Sequence, residues 1–139
     1  MSKPLQMPMF SPQTEWVPPL NLPDLKEYSE IAIDLETRDP SLMTMGSGSV
    51  RGDGEVVGIA IAVEGWSGYF PIAHEAGGNM DRGLVLDWFE EVLHTDATKI
   101  FHNAMYDVSW IIALGFQIRC GIIDTMIAAS LVNENRWSF

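Results

Sequence analysis

A mixed α/β fold is predicted for this 139-residue chain from three features of its sequence. Residues 30–37, 55–63 and 66–72 carry the alternation of side chains expected of strands. Residues 81–94 repeat apolar side chains at helical spacing. Two strand-helix units then follow, at residues 98–114 and 122–131. The resulting order is βββαβαβα, with the last unit cut short at Phe139. A chain of this length buries one core and not two. Its hydrophobic content of 47% is that of an ordinary globular protein.

Residues 1–24 hold most of the chain's eight prolines and read as an extended arm, with the folded body beginning at residue 30. Trp16 is a candidate for pinning the arm to the body. In residues 30–37 (EIAIDLET), Ile31, Ile33 and Leu35 share one face of a strand. Ala32, Asp34 and Glu36 share the other. Residues 38–54 are polar and glycine-rich, and read as a flexible loop near substrate. Residues 55–63 alternate large and small side chains, giving a strand with one well-packed face and 66–72 as its hairpin partner. Residues 74–80 read as a loop. The helix over 81–94 is predicted to bury Leu84, Val85, Trp88, Phe89, Val92 and Leu93, with its aromatic residues serving as core. A strand over 98–102 leads into a helix over 103–114, stopped by Gly115, whose apolar stripe is Ala104, Val108, Ile111 and Ile112.

The chemistry concentrates in the first strand and in the helix over 103–114. Asp34 and Glu36 would lie roughly 7 Å apart on one strand face, at about 3.3 Å per residue. If that face is buried, two charged and unpaired acids are untenable there. A hard divalent cation between them relieves the conflict, since Mg²⁺ and Mn²⁺ prefer oxygen ligands. If the strand ends near Asp34, both acids are simply solvated. Asn103 and Asp107 stand at i and i+4, on one helical face. They also fit a plain helix start, with Asn103 as N-cap and an acid in the first turn.

Together these segments resemble a family. IAIDLET is similar to the first motif of the DnaQ-like (DEDD) 3′–5′ exonucleases, and FHNAMYD to the second. Residues 122–131 (IIDTMIAASL) resemble the strand-helix segment that follows in the proofreading domain of family A DNA polymerases, phage enzymes above all. The stretches YFPIAHE at 69–75 and ENRWS at 134–138 extend the likeness, which runs from about residue 12 to the chain end. The resemblance implies a ribonuclease H-like sheet and two-metal hydrolysis of a phosphodiester, with Mg²⁺ or Mn²⁺ as cofactor. It implies that Asp34 bridges two ions, that Glu36 holds the nucleophile-side ion and orients its water, and that Asp107 serves the second ion. Thr37 and Asn103 become candidates for placing the terminal nucleotide. Asp124 matches a position that is usually structural, and is expected to cap or support its helix. The departure from the family is the absence of the downstream Y-x-x-x-D or H-x-x-x-D motif that supplies a fourth acid. On this likeness the sequence is the front two thirds of an exonuclease domain, residues 30–139. A polymerase domain or a missing C-terminal part is its implied partner, and a single-stranded DNA 3′ end its implied substrate.

The net charge of −11 runs against tight binding of nucleic acid by this chain alone. Cys120 is the sole cysteine, so no internal disulfide forms. One cysteine and three histidines make no zinc motif, His74-Glu75 lacks the second histidine of H-E-x-x-H, and Arg51-Gly52-Asp53 sits in a glycine-rich turn. No apolar run of membrane-spanning length is present, and a cytoplasmic location, that of the host if phage-encoded, is expected. Two other functions stay open: a non-catalytic or split fragment that needs a C-terminal partner, and an RNA-trimming exonuclease of the same superfamily.

Overall fold

A computed structural model describes residues 17–133. Trp16 and the ENRWS segment therefore lie outside the described residues. The elements are β1 (Glu30–Arg38), α1 (Leu42–Met45), α2 (Gly48–Arg51), β2 (Glu55–Val63), β3 (Trp66–Pro71), α3 (Arg82–Leu93), β4 (Thr98–Phe101), α4 (Ala104–Ala113), β5 (Ile122–Asp124) and α5 (Thr125–Val132). They form one five-stranded mixed sheet in the order β3-β2-β1-β4-β5. β1 pairs antiparallel to β2 and parallel to β4, so the central strand joins the hairpin half to the crossover half. Apart from the one-turn helices α1 and α2 between β1 and β2, the predicted ribonuclease H-like order of elements is the one observed.

The alternation in β1 sorts as its sequence dictates. Ile31, Ile33 and Leu35 are buried against Ile59, Ile61, Phe70 and the apolar side of α3. That side carries Val85, Trp88, Phe89, Val92 and Leu93, while Leu84, predicted to be buried with them, is 63% exposed. Leu84 follows the N-cap turn, where Asp81 accepts a hydrogen bond from its backbone at 2.9 Å and its side chain faces away from the sheet. Where the proline-rich segment meets the body, Leu25 is buried and Pro23 accepts a 2.8 Å hydrogen bond from the Trp88 indole.

Two further expectations are corrected. Residues 38–54 contain two one-turn helices, and the segment is tied down. Asp39 accepts from the Gly48 backbone at 2.9 Å, and Ser49 hydrogen-bonds Ser109 of α4 at 2.7 Å. Gly48 is buried so tightly against Asp53 that no side chain fits there. In α4, Ala104, Asp107, Trp110 and Ile111 face inward and Ile112 is 65% exposed. An acid thus occupies the buried stripe that apolar periodicity assigned to aliphatic residues.

Lys99 of β4 is fully buried, its ammonium donating to the carbonyls of Thr95 (2.6 Å), Ala97 (2.8 Å) and Arg119 (3.2 Å). It sits beyond the C-terminus of α3, where a cation suits the helix dipole and gathers carbonyls that would otherwise lack donors.

Candidate active site

The sheet has one face covered by α3 and another that stays open around Asp34. Small side chains keep that face concave: Ala32, Ala60 and Ala62 line an open depression of about 810 Å³ together with Asp34, Tyr69, Ile100 and His102. Asp34 and Glu36 are both exposed. The expectation that a buried strand face holds both acids is overturned, because Ala32 and Ala60 bring no bulk to cover them.

The burial conflict falls on Asp107 instead. Its side chain is 3% exposed and accepts a 3.0 Å hydrogen bond from the Leu35 backbone, between Asp34 and Glu36. The sheet makes this possible. Parallel pairing of β1 with β4 ends at Ala32–Ile100, so the Leu35 N–H lies beyond the register of those two strands. Burial foremost, and the nearby Asp34 charge after it, push the Asp107 carboxyl up to about 6 against the Leu35 hydrogen bond, which lowers it. Between Glu36 and Thr37 the register with β2 shifts, which bends the strand end and re-aims the side chains that follow.

Thr37 and Asn103, the two candidate nucleotide-placing residues, have different surroundings. Thr37 Oγ1 lies 2.7 Å from the Tyr106 hydroxyl, which also donates to Asp39 at 3.4 Å. Asn103 stands at the N-cap position of α4, as read from sequence, but in the left-handed conformation with φ +67° and with no hydrogen bond from its side chain to the helix start. The cap comes from Asp124. One oxygen accepts from the Asn103 backbone at 3.0 Å, and the other from Ala104 at 2.8 Å. The same carboxylate accepts from Met126 at 2.9 Å, capping α5 as well. Burial alone would raise the Asp124 carboxyl, but the backbone donors of Ala104, Asn103 and Met126 outweigh it and hold it low. Asp124 is therefore the pin that fixes the start of α4, and with it Asp107, against β5.

Among the described residues, no three side chains of Asp, Glu, His or Cys converge closely enough to hold a metal ion as they stand. The donor chemistry still suits a hard cation. Asp34, Glu36 and Asp107 offer carboxylate oxygens, two of the acids are exposed, and the buried one carries a burial penalty that its Leu35 hydrogen bond only partly offsets. Tyr106 and Tyr69 lie in the FHNAMYD and YFPIAHE stretches but had no role assigned from sequence, and Asp39, which accepts from Tyr106, was not singled out at all.

Comparison with known proteins gives the site a context. Residues 21–139 match the family model described as the 3′–5′ exonuclease of DNA polymerase A. A DNA-directed DNA polymerase of Pseudomonas phage M6 is 43% identical over 81 residues, covering 55% of this chain and 12% of the relative. DNA polymerase DpoZ of Salmonella phage PMBT28 is 28% identical over 119 residues, covering 84% of this chain and 17% of the relative. The chain thus spans less than a fifth of the length of either polymerase. Among solved structures, Brucella melitensis NrnC bound to pGG is 25% identical with a TM-score of 0.55, covering 84% of this chain and 51% of that one. The POL domain of Pol1 from M. smegmatis, in complex with DNA primer-template and dNTP, is alike in fold, with 18% identity, a TM-score of 0.54 and coverage of 82% and 18%.

Proposed function

Because this chain belongs to the family of 3′–5′ exonuclease domains of DNA polymerase A, we propose that its site removes nucleotides from the 3′ end of a DNA strand in the service of a polymerase. The exonuclease assignment itself follows from the family and from its phage polymerase relatives. The DNA substrate, the proofreading role, the attached polymerase and the residues that act are the proposal.

The observation that carries it is the placement of Asp107. A buried acid locked to the backbone between Asp34 and Glu36 puts three carboxylates at one strand end, where stability alone would favour none. Asp34, Glu36 and Asp107 would hold two divalent cations, Mg²⁺ or Mn²⁺. When bound, these ions supply electrostatic stabilisation of the charge that builds on the phosphate. The chain's own contribution is positional. The β1 backbone fixes Asp107 through Leu35, and Asp124 fixes the helix start that carries it. Asp34 and Glu36 project from the open side of the sheet, where a strand end has room to enter. Thr37, held by Tyr106, and Asn103, at the α4 start, flank the acids as nucleotide-placing residues.

The experiment is release of label from a 3′-labelled single-stranded DNA in Mn²⁺, with Asp34→Ala as control. Release that is lost in the variant supports the reading. Release that Asp34→Ala leaves unchanged, or a folded and inert wild-type chain, refutes it for this chain in isolation. RNA trimming is the second reading, since NrnC, the solved structure at 25% identity, is bound to the short nucleotide pGG, and the same assay on an RNA 3′ end separates the two.

A further inference from the structure

We propose that Tyr69, braced by His74, is a positioning residue of this nuclease site, its hydroxyl set beside Glu36 to orient what that carboxylate holds. The proposal rests on the reading of Asp34, Glu36 and Asp107 as the reacting centre.

The sheet register places the residue. Asp34 pairs with Ala60, and Ala60 pairs with Tyr69, so the three stand in one row on the open face. Ala60 is too small to separate the outer two. In the adjacent row Glu36 pairs with Gly58. The Tyr69 ring leans over Gly58, and a methyl group there would fall on the phenol oxygen. Glycine at position 58 is thus the space through which the hydroxyl reaches the Glu36 row.

The hydroxyl is also held in place. It hydrogen-bonds His74 Nε2, with the two rings edge to face at 5.8 Å. His74 sits in a loop that is firmly anchored. Asn79 accepts from its backbone N–H at 2.7 Å and donates to its carbonyl at 2.8 Å. The loop start is fixed by Ile72 and Ala73 donating to the Val57 carbonyl, and its end by Met80 donating to Pro71. Arg38, at the end of β1, pairs with Glu75 next to the histidine. Aromatic core packing needs none of this apparatus. Whichever of the two groups donates, the hydrogen bond to His74 fixes where the hydroxyl sits, over Gly58 and beside the Glu36 row.

The test has two independent arms. In the first, the chain is labelled with fluorotyrosine and titrated with substoichiometric Mn²⁺ in ¹⁹F NMR, assigning lines with Tyr69→Phe and Tyr106→Phe. Paramagnetic broadening of the Tyr69 line, with Tyr28 sharp and the effect abolished in Asp34→Ala, is expected. Broadening of Tyr106 with a sharp Tyr69 line overturns the proposal while leaving the site reading intact. Absence of any Asp34-dependent broadening refutes the site reading instead. In the second arm, Tyr69→Phe is expected to lower kcat for 3′-end hydrolysis by about 10–100-fold with KM within about twofold, the effect of one hydrogen bond to a charged group. His74→Gln, which keeps a side-chain partner for the phenol, retains most of the rate, whereas His74→Ala does not. A Tyr69→Phe enzyme with wild-type kcat overturns the proposal, as does a His74→Gln enzyme no better than His74→Ala.

Discussion

Replacing Asp107 by Asn should stabilise the metal-free protein at pH 8. The side chain is almost fully buried, and its carboxyl is raised from an ordinary 3.8 to about 6, chiefly by burial and then by Asp34. The folded state therefore holds this proton more tightly than the unfolded chain does. The resulting stabilisation is complete below about pH 4 and is lost as pH rises through about 6. At about 1.4 kcal/mol per tenfold change in proton affinity, the ionised carboxylate costs the fold roughly 3 kcal/mol at pH 8. Asn keeps an oxygen for the Leu35 N–H but brings an amide that needs its own acceptor, which offsets about 1–2 kcal/mol. A net gain of about 1–2 kcal/mol is expected at pH 8, falling and changing sign toward pH 4, where the wild-type group is itself neutral and only the amide's cost of about 1–2 kcal/mol remains. Urea unfolding in EDTA at pH 8, 6 and 4 measures it, with a midpoint shift on the order of 0.5–1 M. Saturating Mg²⁺ or Mn²⁺ should reverse the ranking, because only a carboxylate gains from the ion. An Asn variant less stable than wild type at pH 8, or one with an unchanged pH profile, would falsify the account of Asp107 as a strained acid.

Other substitutions probe neighbouring parts of the argument. Asp34→Ala should fold normally and be slightly more stable without metal, since it removes a like charge beside Asp107; failure to fold in EDTA would make Asp34 structural. Lys99→Met should cost about 2–4 kcal/mol by leaving the Thr95, Ala97 and Arg119 carbonyls without their donor, and thermal unfolding within 1 °C of wild type would contradict that. Gly115→Val should cost about 1–2 kcal/mol from backbone strain alone, because φ is +87° there and no atom lies in the way of a side chain. Finally, a chain of net charge −11 should bind single-stranded DNA weakly in EDTA, and a nanomolar affinity in a fluorescence titration would be incompatible with it.

The sheet and the order of its elements were legible because they depend on local alternation. Ile31, Ile33 and Leu35 reveal the buried face of β1 within six residues, and the Val85, Trp88, Phe89, Val92 pattern does the same for α3. Errors arose where a residue's environment is set by distant chain. Leu84 and Ile112 fit a helical stripe but stand outside because the rotation of each helix is decided by what it meets. The 38–54 segment looked mobile by composition, yet Asp39 and Ser49 tie it to the body through partners that local pattern does not reveal.

The same distinction governs the site. Asp34, Glu36 and Asp107 could be picked out by spacing, but which acid carries the burial penalty could not. On the strand, period two put the strain on Asp34 and Glu36. In the fold, the small residues Ala32 and Ala60 leave those two in the open, and α4 drives Asp107 inward to the Leu35 N–H. Asp124 shows the limit of local reading from the other side. Its neighbours mark it as a cap of α5, which it is, but the same carboxylate also caps α4 from 20 residues away. A carboxylate accepts several hydrogen bonds at once, and local sequence reports only the nearest acceptor role. Where one short side chain satisfies two helix starts, removing it should move the acid those helices carry. Asp124→Ala is accordingly expected to perturb the Asp107 titration near pH 6, even though Asp124 touches no substrate in the proposed reaction.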